Sequence, residues 1–385
     1  MDNFVFENPT KLIFGKGQIA RLAKEIPADA KVLITYGGGS VKRTGVLDEV
    51  KKALQGYDIT EFGGIEPNPS YETLINAIQL VHTKKIDFLL AVGGGSVIDG
   101  TKFIAAGALY DGDPWEILPK HGKGVNKALP LGVVLTLPAA GSESNPRAVI
   151  NRKSINAKLS FYSTAVFPRF AVLDPTITYT LPKRQISNGV VDAFMHVLEQ
   201  YLTVPMEARL QDRFAEGILL TLIEAGPAAL QDPENYDVRA NLMLCATMAL
   251  NGLIAAGVPQ DWSTHMVGHE LTALYGMEHA ATLAALAPAM LTVLKDKKRA
   301  KLLQYGERVW GLAEGSEDER IDEAIAKTKE FFETMQLKTN LRDHGLTPEN
   351  IPEILDSLRA HDMVQLGEHK DVTPEVVRQA LELCF

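Results

Sequence analysis

Cysteine is almost missing from this chain: of 385 residues, only Cys245 and Cys384 carry a thiol. Two isolated cysteines without a C-x-x-C spacing argue against a disulfide framework and suit a reducing compartment. No uninterrupted apolar run approaches the ~18 residues that a membrane helix needs. The opening MDNFVFENPT lacks a basic start followed by an apolar core, so no signal peptide is expected. Positive charge is in deficit too. There are 39 basic and 48 acidic residues, giving a formal net charge of -9, and no Lys/Arg-rich block. This balance argues against a nucleic-acid partner, and the expectation is a cytoplasmic protein with no membrane association.

What is present is ordinary globular material, 46% hydrophobic and 23% charged, enough for two or three domains. Up to about residue 180, short β-like runs alternate with helical patterns. KVLITY (31–36), IDFLLAV (86–92), ALPLGVVLTL (128–137) and RFAVLDP (169–175) are apolar throughout and bounded by Gly, Pro or Asp. VLDEVKKALQ (46–55) and YETLINAIQLVHTKK (71–85) have apolar residues at three- and four-residue spacing. Continuous apolar strands between amphipathic helices predict a parallel sheet covered on both faces. Beyond YTLPKRQISNG (179–189) only long helical patterns follow, including 190–202, 213–226 and 238–254. The expected fold class is α/β plus all-α: a parallel-sheet dinucleotide-binding domain over 1–180, then a helical domain over 181–385.

One pentapeptide occurs twice. LITYGGGSV ends the run at 33–36, and LLAVGGGSV ends the run at 89–92. A glycine turn at the carboxyl end of a parallel strand, followed by a helix, aims several N–H groups in one direction and makes a phosphate site. The second copy, with SVIDGTKFIAAGAL after it, is the candidate pyrophosphate turn. After the first copy a dinucleotide site that binds a free ribose diol would carry a carboxylate. This chain instead has Gly38, Ser40, Lys42 and Arg43, which suit a 2′-phosphate. FGKGQIA (14–20) matches G-x-G-x-x-A as well. It is set aside, because no acidic residue ends a second strand at the required distance.

Four of the nine histidines fall within 196–279. Asp192 and His196 stand four apart in VVDAFMHVLEQ, and His265 and His269 four apart in THMVGHELTALYG, with His279 ten residues further on. Residues i and i+4 share a helix face. A carboxylate in such apolar surroundings needs a partner or a cation. D-x-x-x-H together with H-x-x-x-H-x9-H therefore points to a divalent metal, Zn or Fe, and the lack of thiolate ligands argues against a structural zinc site.

Taken with NPTKLIFGKG, GGIEPNPSYETL (63–74) and GGGSVIDGTK, this pattern resembles the iron-type (group III) alcohol dehydrogenases, in particular their NADPH-dependent aldehyde reductase branch. The likeness spans essentially the whole chain. It implies a cofactor-binding α/β domain and a helical domain with the active site in the cleft between them. It implies metal ligation by Asp192, His196, His265 and His279, with His269 beside the nicotinamide and substrate as the candidate proton donor. Gly94, Gly95 and Ser96 would hold the pyrophosphate with Asp99 close by, and Asn68, Thr136, Leu137, Ser142 and Lys158 would line the rest of the groove. Gly38 stands where NAD-preferring members commonly carry Asp. The implied cofactors are NADPH/NADP and one divalent metal, the partner a small aldehyde or alcohol, and the assembly a homodimer. The chain departs from the family pattern in LPAAG (137–141), where many members have PTTAG, and in Ala280, where Gly usually follows the last ligand. Phe161 and Trp262 are expected to shape the substrate pocket. Two rival readings share parts of this pattern: a dehydroquinate synthase-type NAD- and metal-dependent lyase, and a nucleotide-binding sensor without activity. The lyase would need a basic cluster beside the ligands, which the helical region lacks.

Overall fold

The computed structural model describes residues 1–155 and 157–385. It divides into two compact units, Glu7–Leu181 with Glu234–Thr247, and Pro182–Pro233 with Met248–Phe385 and Met1–Phe6.

The first unit is built on a six-stranded parallel sheet. Its strands are β1 (Lys11–Phe14), β2 (Lys31–Tyr36), β3 (Asp58–Phe62), β4 (Phe88–Gly94), β5 (Leu131–Leu137) and β8 (Phe170–Leu173). Their spatial order is β1-β8-β5-β4-β2-β3. The apolar strands split by alternation. Leu33, Leu89, Ala91, Val133, Leu135 and Ala171 enter one core. Val32, Ile34, Leu90, Val92, Val134 and Val172 enter the other. Both faces are thus covered, which is why these strands read as unbroken apolar runs. Helices α1 (Val46–Ala53), α2 (Tyr71–Lys84) and α3 (Gly95–Gly107) supply the cover. An antiparallel pair, β6 (Arg147–Arg152) with β7 (Ala157–Tyr162), follows β5. β2 pairs with β3 on one side and with β4 on the other, so the chain reverses its lateral direction between β2 and β4. Ligands of open α/β sheets bind at the carboxyl ends of the strands where such a reversal occurs.

Part of α6 (Tyr236–Ala249) also packs in this unit. The Arg239 guanidinium donates to the Thr178 hydroxyl at 2.9 Å and to its carbonyl, and the Thr247 hydroxyl donates to Glu143 at 2.5 Å.

In the second unit the elements that matter for chemistry are α4 (Lys183–Tyr201), α5 (Arg209–Gln231), α7 (Ser263–Tyr275), α8 (His279–Val293) and α9 (Arg299–Trp310). Every residue of α4 from Val190 to Tyr201 is buried, polar ones included. The expected stop after α7 is present: Gly276 takes the left-handed conformation (φ 68°) at its C-cap, where a side chain would be strained. Among the described residues no helix is long and apolar enough to cross a membrane.

Candidate metal centre and nucleotide groove

In the first unit the expected nucleotide residues gather at the reversal. Gly38 and Ser40 follow β2, Gly94 to Ser96 follow β4, and Thr136 and Leu137 end β5. β4 runs straight into α3, whose N-cap Gly94 offers no side chain and whose first turn has no acid. Its leading N–H groups and dipole are therefore available to an anion. A Cβ on Gly94 would lie 2.9 Å from that of Leu137, so only glycine lets the turn meet β5 this closely. The Asn68 N–H donates to the Ser96 hydroxyl at 3.2 Å, which ties the NPS loop to the same turn. A Cβ on Gly38 would meet nothing within 4 Å. The FGKGQIA turn is occupied structurally: the Gly17 N–H donates to the Asp174 carboxylate at 2.5 Å.

Ser142 and Lys158 are buried and Asp99 is half-buried. The Ser142 hydroxyl donates to Asp99 Oδ1 at 2.5 Å, and the Val149 N–H donates to Asp99 Oδ2 at 2.9 Å. Lys158 is 7% exposed. The organiser is a residue the sequence did not flag. Lys102 is fully buried, and its ammonium donates to Ser142 Oγ (2.9 Å), Asn145 Oδ1 (3.1 Å) and the Arg147 carbonyl (2.8 Å). Burial pulls its pKa down to about 8, against the opposing pull of Asp99 and then Glu143. Burial pushes Asp99 up, with Lys102 as the main restraint. Lys102→Met should cost about 3–5 kcal/mol of unfolding free energy in urea, because it leaves these acceptors buried without their donor. Phe161 is 1% exposed and packs edge-on against Phe103, so it belongs to the core rather than to a pocket.

In the second unit α4 and the α7–α8 turn bring the carboxylate and imidazoles together. Asp192 Oδ1 lies 3.5 Å from His279 Nε2, 3.7 Å from His196 Nδ1 and 4.0 Å from His265 Nε2. One ligand atom each from Asp192, His265 and His279 falls within 4.8 Å of the others. His196 is not part of that closest set; its ring stacks on His265 with centroids 4.7 Å apart. These separations exceed hydrogen-bonding range. They are close to the roughly 3.4 Å edge of a tetrahedron with bonds of about 2.0–2.1 Å to a central cation. Asp192 is 6% exposed, and its Oδ1 has no hydrogen-bond partner, nor has His196 Nδ1. A buried carboxylate oxygen facing three imidazoles fits a divalent cation better than it fits the bare cluster. Burial holds His196 down at about 4, countered by Asp192, so that imidazole is neutral and its lone pair available near pH 7.

The supports are local. Glu278, the residue before His279, accepts from Asn188 at 3.0 Å and pairs with Arg184, fastening the α8 entry to α4. Trp262, in the left-handed region (φ 64°), caps α7. Its indole stands edge-on to His265 at 5.2 Å and His196 at 5.9 Å, and its Nε1 donates to Gln260 at 2.6 Å. His269 is 7% exposed, with its ring 5.3 Å from that of His279. Glu199 was missed. It lies three residues after His196 and seven after Asp192 on α4, so D-x3-H-x2-E places all three on one helix face, and that spacing was the available signal. Its carboxylate pairs with His265 Nδ1 and accepts the N–H groups of Thr264 (2.6 Å) and His265 (3.2 Å). Burial and then Asp261 push Glu199 up, while those N–H groups pull it down.

Family models match two successive stretches of the chain. The family described as iron-containing alcohol dehydrogenase matches residues 9–175, and the C-terminal domain described for the Fe-containing alcohol dehydrogenase family matches 186–384. The chain is 63% identical over 384 residues to the NADPH-dependent aldehyde reductase YqhD of Escherichia coli K12, covering 99% of each. It is 41% identical over 387 residues to a probable NADH-dependent butanol dehydrogenase of Bacillus subtilis, again covering 99% of each. The solved substrate- and cofactor-free form of YqhD superposes with a TM-score of 0.94 at 61% identity, covering 100% of both chains. An NADH-dependent butanol dehydrogenase from Thermotoga maritima gives 0.95 at 36% identity, covering 100% of this chain and 99% of that one.

Proposed function

The chain belongs to the iron-containing alcohol dehydrogenase family, and on that premise we propose that it reduces aldehydes to primary alcohols with NADPH, reversibly. One observation carries the chemistry: the buried Asp192 oxygen, without a hydrogen-bond partner, faces three imidazole nitrogens at 3.5–4.0 Å. In this reading Asp192, His196, His265 and His279 hold one divalent ion, Zn or Fe. His196 would join them, its Nδ1 lying 3.7 Å from Asp192 Oδ1. When bound, that ion polarises the aldehyde oxygen, and the nicotinamide supplies the hydride.

The chain's own residues bind, orient and move the proton. Gly94, Gly95 and Ser96 present backbone N–H groups to the pyrophosphate. Gly38, Ser40, Lys42 and Arg43 receive the 2′-phosphate, while Asn68, Thr136, Leu137 and Lys158 line the groove. Asp99 and Ser142, bonded to each other, with Lys102 donating to Ser142, shape its floor. His269 protonates the alkoxide, directly or through water, its ring lying 5.3 Å from that of His279. His269→Ala should therefore keep its metal while turnover falls about 10²–10⁴-fold; metal analysis beside steady-state rates reads both, and metal loss would move His269 into the coordination shell.

The same reading assigns a cytoplasmic homodimer. The exposed apolar side chains of Phe4, Val5, Phe6, Leu210 and Phe214 are surface that a second copy would cover. Nothing found favours the lyase alternative. The test is oxidation of NADPH and NADH by the purified protein across short and long aldehydes. Net NADPH consumption is expected; catalysis without net redox change would return the lyase.

A further inference from the structure

Glu199 contacts neither the Asp192 oxygen nor any expected cofactor residue, yet its surroundings are unusually complete. Its side chain is 5% exposed and accepts two backbone N–H groups of the first turn of α7 as well as His265 Nδ1. The Asp261 N–H donates to the Glu199 carbonyl at 3.0 Å. Asp261 in turn accepts from the Ser263 N–H at 2.9 Å and meets the Lys298 ammonium at 3.0 Å. Lys298 also donates to the Leu202 carbonyl (2.6 Å) and to Glu368 (2.7 Å), so its three N–H groups face three acceptors. The segment 261–265 is thus held from both ends, with Glu199 between it and α4.

A neutral imidazole has one N–H, and whichever nitrogen lacks the proton is the one that can ligate. Both Glu199 oxygens already accept backbone N–H groups, so the side chain faces Nδ1 as an acceptor and selects the tautomer with hydrogen on Nδ1. The lone pair then sits on Nε2, the nitrogen on the Asp192 side. We propose that Glu199 is a positioning residue for the metal: it fixes His265 in the Nδ1–H tautomer and in its ring orientation, while the Asp261–Lys298–Glu368 group holds Glu199's own partners in place. The role rests on the metal reading above, and hydrogen-bond partners of ligating histidines are worth about 10–100-fold in metal affinity.

The rival role is a helix cap alone, with the carboxylate serving the α7 N–H groups and dipole. Glu199→Gln separates the two. The amide oxygen can still accept from Thr264 N–H, whereas the amide NH₂ facing His265 Nδ1 donates, reverses the tautomer and gives up only the longer bond from His265 N–H. Zinc-loaded wild type and E199Q would be challenged with a chromogenic chelator, and the ring-nitrogen shifts of ¹⁵N-histidine-labelled metal-free protein would be recorded. We expect E199Q to melt within a few degrees of wild type and to surrender zinc about 10–100 times faster. The metal-free wild type should show His265 protonated on Nδ1, and E199Q should show it on Nε2. Equal zinc retention by the two proteins overturns the role and leaves the metal reading intact. Wild type that retains no zinc overturns both. Should E199Q fail to fold, the wild-type tautomer still decides, since a proton on Nε2 there contradicts the proposal.

Discussion

Asp192→Ala is expected to yield a folded protein that purifies without metal and reduces aldehydes roughly four orders of magnitude more slowly than wild type. The rate loss follows from removing the ion that stabilises developing alkoxide charge, a contribution of several kcal/mol, each 1.4 kcal/mol being tenfold. The fold should survive because Asp192 Oδ1 serves no hydrogen bond, so its removal leaves no donor stranded. The metal-free variant should in fact be at least as stable as metal-free wild type, since a buried carboxylate oxygen without a hydrogen-bond partner is a desolvation cost. Elemental analysis, steady-state rates and thermal melts with and without chelator check the three parts. A D192A protein that is metal-free and unfolded would assign Asp192 a structural role instead.

Gly38→Asp should reverse the cofactor preference. The position follows β2 and takes a Cβ without contact inside 4 Å, and its backbone is not in the left-handed region, so the substitution is tolerated locally. Its carboxylate would meet a 2′-phosphate as a like charge, at a cost of several kcal/mol, and would offer a free 2′-hydroxyl an acceptor. The ratio of kcat/KM for NADPH over NADH should fall by about 10²–10³-fold, mostly through KM for NADPH, with the aldehyde KM unchanged. Neighbouring Lys42 is engaged, 3.8 Å from Glu61 and over the Tyr36 ring, and Glu61 offers it an alternative to phosphate. An unchanged ratio would remove Gly38 from the 2′-phosphate site.

The central strands and the metal motif were legible because their signals are local. Doubly covered strands need apolar residues at every position, so 31–36, 86–92, 128–137 and 169–175 stood out, and the structure places β2, β4, β5 and β8 there. β3 (DITEF) is an edge strand with only partial burial, and its mixed pattern hid it. The β6–β7 hairpin was missed for the same reason: RAVINR and AKLSFY interleave polar and apolar residues, as an antiparallel pair does. Helical spacing showed that Asp192 and His196 share a face, but not what faces them across the fold. Lys102, buried among acceptors 40 to 45 residues away, and Glu199, bonded to a ring 66 residues away, have roles set entirely by such long-range partners. Likewise, no local pattern marks 234–247 as part of the α/β unit; that follows from Arg239 meeting Thr178 and Thr247 meeting Glu143.

Diffraction from crystals of the metal-loaded protein, recorded on both sides of the zinc or iron absorption edge, tests the account most directly. A single anomalous peak is expected at about 2.0–2.2 Å from an oxygen of Asp192 and from one ring nitrogen each of His196, His265 and His279. A fully active, NADPH-consuming protein whose only peak lies elsewhere, or which shows none, would contradict it.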